Sequence, residues 1–241
     1  MQSYFDLRHV AAIHRRMILG FFTSPSKEEQ QAQSAKFIAG SSYLLWIDGV
    51  GTFLVYLQET LRIGGPGEPA VSGGLGSAGA DLSLLANLSR HHASITRSGE
   101  SYFLEAKAPV YCNQRPVNDR VLLTDQAELR LNTETVITFR QPTVLSATAC
   151  LELTSHHQPQ QRLDGIVLMA DTCLLGSSKE NHVVCPHWPG TVILYRQGNQ
   201  VLCRSKLEIF ANQEPASKGA VLTPGSLVSG PDLRFRWEIV S

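Results

Sequence analysis

A short phrase of this sequence occurs twice: YCNQRPV at 111–117 returns near the C-terminus as FANQEPA at 210–216. A single offset of 99 residues also superposes residues on both sides of the phrase. The superposed pairs are Leu84-Leu85 with Val183-Val184, Arg97 with Arg196, Gly99 with Gly198, Lys107 with Lys206, Asn113-Gln114 with Asn212-Gln213, Pro116 with Pro215, and Leu123-Thr124 with Leu222-Thr223. One register that holds over this length predicts a tandem of two related modules.

Upstream of these pairs the repeat continues at a larger offset. Ile63-Gly64 corresponds to Leu175-Gly176, and the insertion PGEPAVSGGLGSAGA in the first copy accounts for the difference. The insertion lacks the Gly-Lys-Ser/Thr ending of a phosphate-binding loop, so we interpret it as a flexible loop.

Short runs of β-branched and aromatic residues fill both copies. Runs such as SYLLWI, TFLVYL and VITFR, and later TVILYR and LRFRWE, follow one another at intervals of about ten residues. Turn sequences such as DGVG, RSGE and RQGN separate them, and no helical pattern alternates with them. The sequence therefore predicts an all-β fold of two tandem β-sandwiches.

The first 40 residues follow a different pattern. Side chains that recur at spacings of three and four predict an amphipathic helix, and they are Leu7, Val10, Ile13, His14, Met17, Ile18 and Phe21. We expect four regions: a helix and polar linker at 1–40, a sandwich at 41–142, a linker at 143–161 and a second sandwich at 162–241.

Charge and cysteine usage narrow the classes of function. The 21 Lys and Arg residues balance 21 Asp and Glu residues, so no net charge attracts nucleic acid or an anionic membrane. No apolar run reaches the roughly 18 residues of a membrane span, and no signal peptide is recognisable. The five cysteines form no close CxxC pair, which is typical of buried thiols in a reducing compartment. We expect a cytoplasmic protein.

Two pairs of repeated residues have turn-forming chemistry. Gly99 and Gly198 stand where a tight hairpin needs a positive φ. Asn113 and Asn212 each precede a proline by three residues, and their side-chain amides can bond nearby backbone groups to hold a turn.

Motifs in the first copy resemble a known family. LRIGG is followed by DLSLLANLSRHHASITRSGESYFLEA, then by VYCNQRPV and a closing VITF. This order resembles the forkhead-associated (FHA) domain, whose pattern is Gly-Arg, Ser-x-x-His, Ser/Thr-Asn-Gly and a second Asn-Gly. Gly64 matches the first Gly, Ser89 and His92 match Ser-x-x-His, and Asn113 matches the last Asn. The resemblance covers about 42–142 directly, and the second copy only through the repeat.

The resemblance implies a β-sandwich that binds phosphothreonine peptides through loops at one end. It places Ser89 towards the phosphate, with Gly64 and His92 bracing the loops. We predict partner binding by Ser89, Arg90, Lys107 and Asn113, although the family uses its Asn at the last position mainly to brace loops.

This chain departs from the family at the phosphate site. Gly65 replaces the arginine that holds phosphate, and a phosphate dianion needs charge-assisted donors. EAKAPV replaces the Ser/Thr-Asn-Gly loop, which leaves Arg90 and Lys107 as candidate substitute cations. We therefore expect phosphate dependence to be weakened or absent.

The second copy departs further. Ser177 stands at the place of Gly65, and Trp188 and Thr191 stand at the places of Ser89 and His92. Trp188, between two prolines, is either an exposed anchor for a partner or a plug at the end of its own sandwich.

Enzyme and metal sites are weakly indicated. His182, Cys185 and His187 have a spacing that suits zinc, but a closed site needs four ligands. Cys112 between Tyr111 and Asn113 is better explained as a buried thiol than as a nucleophile.

We predict a noncatalytic interaction or scaffolding module without cofactors, whose partner is a protein. The alternatives are a purely structural assembly subunit, a regulatory subunit of an enzyme, and a metal-binding protein.

Overall fold

The computed structural model describes residues 42–66, 79–155, 159 and 161–240. All regular elements in these residues are β-strands, which confirms the predicted all-β fold class. The predicted N-terminal helix lies outside the described residues. Nowhere in the described ranges is there a helix long and apolar enough to cross a membrane.

Twenty-two strands follow one another along the described chain. The first eleven are β1 (Ser42–Ile47), β2 (Gly51–Tyr56), β3 (Thr60–Gly64), β4 (Leu82–Ser83), β5 (Ala93–Ser98), β6 (Ser101–Ala106), β7 (Tyr111–Cys112), β8 (Arg115–Pro116), β9 (Arg120–Leu123), β10 (Ala127–Arg130) and β11 (Val136–Arg140). The others are β12 (Ala149–Leu153), β13 (Gly165–Leu168), β14 (Thr172–Gly176), β15 (Val183–Val184), β16 (Val192–Gln197), β17 (Gln200–Ser205), β18 (Phe210–Ala211), β19 (Glu214–Pro215), β20 (Ala220–Leu222), β21 (Ser226–Gly230) and β22 (Leu233–Ile239). We call β1–β11 the first half and β12–β22 the second half.

The strands form one large sheet and two small ones. The small sheets have five strands each, in the orders β4-β3-β5-β6-β9 and β15-β14-β16-β17-β20. The large sheet has twelve strands, in the order β19-β18-β21-β22-β1-β2-β13-β12-β11-β10-β7-β8. Read inwards from one end the order is β19-β18-β21-β22-β1-β2, and read inwards from the other end it is β8-β7-β10-β11-β12-β13. Each strand of the first series has its repeat equivalent at the same place in the second, so the large sheet is pseudo-symmetric about the pair β2–β13.

Strand pairing repeats at the offset found in the sequence. Ala93 pairs with Ala106 in the first half, and Val192 pairs with Ser205 in the second, 99 residues later. One stretch differs from the sequence alignment: Leu82-Ser83, not Leu84-Leu85, occupies the place of Val183-Val184. The reason is the connection to the next strand, which has nine residues after β4 and seven after β15.

The two halves exchange their first hairpins. β1 pairs with β22 through Leu45 and Trp237, whereas β12 pairs with β11 through Leu151 and Phe139. A simple tandem would pair β1 with β11 and β12 with β22, so each half here completes the sheet of the other. The parallel pair of β2 and β13 joins the exchanged hairpins.

The exchange changes the domain boundaries expected from the sequence. β12 lies inside the range 143–161 that we predicted as a linker. β1 and β2 lie inside the predicted first sandwich but extend the sheet of the second half. These strands carry apolar side chains that belong to both hydrophobic cores, such as Leu45 and Leu44 on β1, so each strand is packed on two sides.

Two hydrophobic cores lie on opposite faces of these central strands. On β1, Tyr43 and Leu45 face the core of the second half, and Leu44 faces the core of the first half. On β2, Val55 faces the core of the second half and Leu54 faces the core of the first half. The ring of Tyr43 stacks on Trp237 at a centroid distance of 4.5 Å, so the exchanged β1 is packed as an integral core strand.

All five cysteines are buried and free, as the sequence predicted. Burial raises the pKa of the Cys112 thiol, and it raises the pKa values of Cys150 and Cys185 to about 12. A raised pKa reduces the thiolate fraction, so these thiols are weaker nucleophiles than an exposed cysteine.

Candidate loop-end binding site

The β4–β5, β6–β7 and β10–β11 connections of the first half meet around the buried side chain of His92. Its Nδ1 accepts a hydrogen bond from the backbone N–H of Ser89 at 3.3 Å. Its Nε2 lies 2.6 Å from the carbonyl oxygen of Leu131. Because Nδ1 is an acceptor, Nε2 carries the proton and donates to Leu131. The imidazole thus ties two connections together.

The backbone of His92 adds two more ties. Its N–H donates to the carbonyl of Ile63 at 2.8 Å, which fixes the end of β3. Its carbonyl accepts the N–H of Lys107 at 2.9 Å and that of Ala108 at 3.1 Å, which fixes the β6–β7 connection. The backbone of His92 is therefore hydrogen-bonded both to the end of β3 and to the β6–β7 connection.

Gly64 and Gly65 have backbone neighbours where a side chain would stand. A Cβ on Gly64 would lie 2.6 Å from the carbonyl carbon of Arg90 and 2.8 Å from the carbonyl oxygen of Ser89. A Cβ on Gly65 would collide with the carbonyl oxygen of Leu88, and the Gly65 N–H donates to Ser89 at 2.9 Å. No side chain, and therefore no arginine, fits at Gly65 unless the β4–β5 connection is displaced.

Three of the predicted partner-binding residues surround this braced end. Ser89, Arg90 and Lys107 are all exposed, and they lie on the two connections that His92 holds. Within the described ranges, neither Arg90 nor Lys107 forms an ion pair. Two exposed cations and a serine on connections held by the same histidine make this end suitable for an anionic group.

Asn113 holds the turn that the sequence predicted for it. Its side-chain oxygen accepts the N–H of Glu128 at 2.9 Å, and its own N–H donates to the carbonyl of Glu128 at 2.9 Å. The φ angles of Asn113 and Gln114 are 48° and 65°, as a tight β7–β8 turn requires. Asn113 therefore holds a turn, and no hydrogen bond between described residues joins it to Ser89, Arg90 or Lys107.

The second half repeats this turn. The side-chain oxygen of Asn212 accepts the N–H of Leu227 at 2.9 Å, and Asn212 has a φ of 51°. The predicted hairpin glycines behave alike, since Gly99 and Gly198 have φ angles of 60° and 57°. These matching asparagines and glycines therefore serve the fold.

Two features of the first half were missed in the sequence. Arg62 clamps Asp81 across the insertion: its backbone N–H and Nε donate to Oδ2 at 2.8 and 3.1 Å, and its Nη2 donates to Oδ1 at 3.0 Å. Burial opposes ionisation of Asp81, but these bonds outweigh it and lower its pKa.

The half-exposed Tyr111 lies with Lys107 along a shallow groove that Pro109 and Pro116 also line. An aromatic residue beside prolines was the available signal.

The corresponding end of the second half is closed. Trp188 is buried and stacks on Phe235 at a centroid distance of 6.2 Å, so it is a plug and not an exposed anchor. His182 is buried too, and its Nδ1 accepts the N–H of Leu174 at 2.9 Å, as Asp81 accepts that of Arg62. Burial lowers the pKa of His182 to about 4, and the charge of Arg140 acts in the same direction.

The zinc hypothesis concerned His182, Cys185 and His187. His182 is engaged by Leu174, Cys185 is buried and His187 is exposed. The described residues contain no group of three or more His, Cys, Asp or Glu side chains placed to hold a metal ion.

No protein-family model matches this sequence, and no curated protein matches it. Three solved structures found by structural comparison are FHA domains, the family that the motif around Ser89 and His92 indicated. The FHA domain of CT664 from Chlamydia trachomatis is 24% identical, over 39% of this chain and 91% of that chain, with a TM-score of 0.26. The Rv0020c FHA structure is 24% identical, over 39% of this chain and 87% of that chain, with a TM-score of 0.23. The N-terminal FHA domain from EssC, a component of the bacterial Type VII secretion apparatus, is 13% identical, over 83% of this chain and 95% of that chain, with a TM-score of 0.23.

Proposed function

We propose that this protein is a noncatalytic, cytoplasmic interaction module built from two FHA-like sandwiches, and that it binds a protein partner through the loop end of its first half. The observation that supports this proposal is the contrast between the loop ends of the two halves. His92 holds the exposed Ser89, Arg90 and Lys107 on braced loops, whereas the buried Trp188 closes the other end. A braced and exposed loop end loses little entropy on binding.

The chemistry of this end favours an anionic segment of the partner. Arg90 and Lys107 are the cations on the braced loops, and Ser89 adds a hydroxyl donor. Without an arginine at Gly65, a phosphate would meet fewer charge-assisted donors than in the family pattern. The proposal is therefore a peptide whose phosphothreonine or carboxylate is read with weakened phosphate dependence.

A structural assembly role is the second candidate. The exchanged hairpins join both halves into one twelve-stranded sheet, which is a suitable arrangement for a rigid scaffold. Under this role the loop end of the first half would bind no peptide.

Binding to degenerate peptide pools tests the proposal. The full chain is titrated with phosphothreonine, threonine and glutamate pools of the same flanking composition. We expect the phosphothreonine and glutamate pools to bind more tightly than the threonine pool. Loss of a charge-assisted hydrogen bond costs about 1.5–3 kcal/mol, so Ser89→Ala and Lys107→Ala should each weaken binding by roughly ten- to a hundredfold.

Lys206→Ala is the matched control, because Lys206 is exposed at the place of Lys107 in the second half. It should leave binding unchanged. Equal losses in Lys107→Ala and Lys206→Ala would contradict the proposed site, and no binding to any pool would favour the structural role.

A further inference from the structure

The large sheet has an open face across β21, β22 and β1. Along β22 the side chains alternate between the core and this face, where Arg234 and Arg236 are exposed and Glu238 is half-buried. On β1, Trp46 is exposed while its neighbours Leu45 and Ile47 are buried. We call the surface formed by Trp46, Asp48, Leu227, Arg234, Arg236 and Glu238 the Trp46 face; these six residues line one shallow groove.

The pseudo-symmetry shows that the fold does not require a tryptophan there. Across β21, β22 and β1, Arg236 pairs with Leu227 on one side and with Trp46 on the other. Across the equivalent strands β10, β11 and β12, the same row is Glu128, Thr138 and Glu152. The equivalent of Trp46 is thus Glu152, a carboxylate that pairs with Arg140 at 2.7 Å. The exposed indole is a property of this face and not of the architecture.

The composition of the Trp46 face is that of an interface centre. Tryptophan and arginine are the residues most enriched at binding hot spots, and charged residues typically surround them. Here Arg236 pairs with Glu238 at 2.9 Å and Arg234 with Asp48 at 3.8 Å. Two cations and two anions leave the face without net charge.

We propose that the Trp46 face binds the same face of a second copy of this chain, forming a symmetric dimer independent of the loop-end site. A two-fold axis brings a surface onto itself, so each cation can meet an anion of the other copy. A face of one charge sign would repel itself, and this face has both signs. Apposition of the two indoles removes exposed aromatic surface of the sheet from water.

The size of the face sets the expected strength. Strands about 4.8 Å apart make the open part of β1, β22, β21 and β18 only a few hundred Å². A standard interface buries about 800 Å² per partner, so this dimer should be weak and form in the upper micromolar range.

Sedimentation of the full chain over a concentration series, with tryptophan emission recorded in parallel, tests the proposal. The other two tryptophans, Trp188 and Trp237, are 4% and 0% exposed, so a concentration-dependent blue shift reports on Trp46. We expect a reversible monomer–dimer equilibrium accompanied by this shift. A monomer at every concentration would overturn the proposal.

Trp46→Glu introduces the side chain of the equivalent residue, Glu152, and should retain the native circular dichroism spectrum. It should weaken dimerisation by at least about tenfold, as expected for a hot-spot residue. Leu122→Glu is the control, because Leu122 is 51% exposed on the edge strand β9 of another sheet. It should dimerise like the unmodified chain. Unchanged dimerisation of the Trp46→Glu variant, or equal losses in both variants, would contradict the assignment.

Discussion

The two halves share their strand framework and differ at the same end. In the first half, His92 braces exposed loops around Ser89 and Lys107. In the second half, Trp188 is buried at the equivalent end. The turns held by Asn113 and Asn212 are alike. The comparison teaches that the repeated turn residues maintain the sandwich, whereas the open and closed ends differ at Ser89 and His92, whose places are taken by Trp188 and Thr191 in the second half.

Cutting the chain tests how far the halves can be compared as separate units. Residues 1–142 and 143–241, produced separately, should each fail to fold, because each half completes its sheet with a hairpin of the other. Mixed during refolding, the two fragments should recover the native circular dichroism spectrum. Independent cooperative unfolding of either fragment would show that the exchange is dispensable.

The exchange marks the limit of what the sequence could predict. Alternating runs predicted the strands, and the 99-residue offset predicted the equivalent hairpins. The pattern of β1 suits pairing with β11 or with β22, since both present an apolar inner face, so local periodicity could not choose between them. β12 was missed because polar stretches flank the short run ACLEL.

For the candidate site, motif spacing could be read from the sequence, whereas contacts between distant residues could not. Gly64, Ser89 and His92 were recognisable because the family motif has fixed spacing. Asn113 belongs to the same motif, and its turn-holding role was predicted from the sequence, but the partner of its side-chain oxygen, the Glu128 N–H, required the tertiary structure. The burial of Trp188 depends on Phe235, which is distant in sequence, so it required the tertiary structure.

Removing the His92 imidazole should destabilise the protein more than the equivalent substitution in the second half. His92→Ala leaves the Ser89 N–H and the Leu131 carbonyl without their partner, at an expected cost of about 2–4 kcal/mol. Thr191→Ala, at the same place in the second half, should cost less than about 1 kcal/mol. Urea unfolding of both variants measures the difference, and equal costs would refute the bracing role.

The two halves should also respond differently to acid. In the second half, His182 has a pKa of about 4 when folded and an ordinary value of 6.5, so the unfolded chain binds the extra proton between these values. Stability should therefore fall as the pH falls from about 6.5 to about 4, by up to roughly 3 kcal/mol. In the first half, Asp81 contributes stability that remains down to its ordinary pKa and is lost below it.

Denaturant titrations at a series of pH values, with and without His182→Gln, measure this effect. The variant should flatten the slope between pH 6.5 and 4. A slope that is identical in both proteins would contradict the assignment to His182.

The turn asparagines should give the smallest and most equal effects. Asn113→Ala and Asn212→Ala each remove one side-chain to backbone hydrogen bond and place alanine at positive φ, so each should cost about 1–2 kcal/mol. Thermal unfolding compares the two variants. A large loss of peptide binding in Asn113→Ala with little loss of stability would restore Asn113 to the binding site.

The most direct test of the central contrast is amide chemical-shift mapping of the full chain with the phosphothreonine and glutamate peptide pools. The open first end and closed second end predict shifts at Ser89, Arg90 and Lys107 and none at Ser177, Thr191 and Lys206. Shifts concentrated in the second set, or no shifts with either pool, would contradict a binding site at the loop end of the first half.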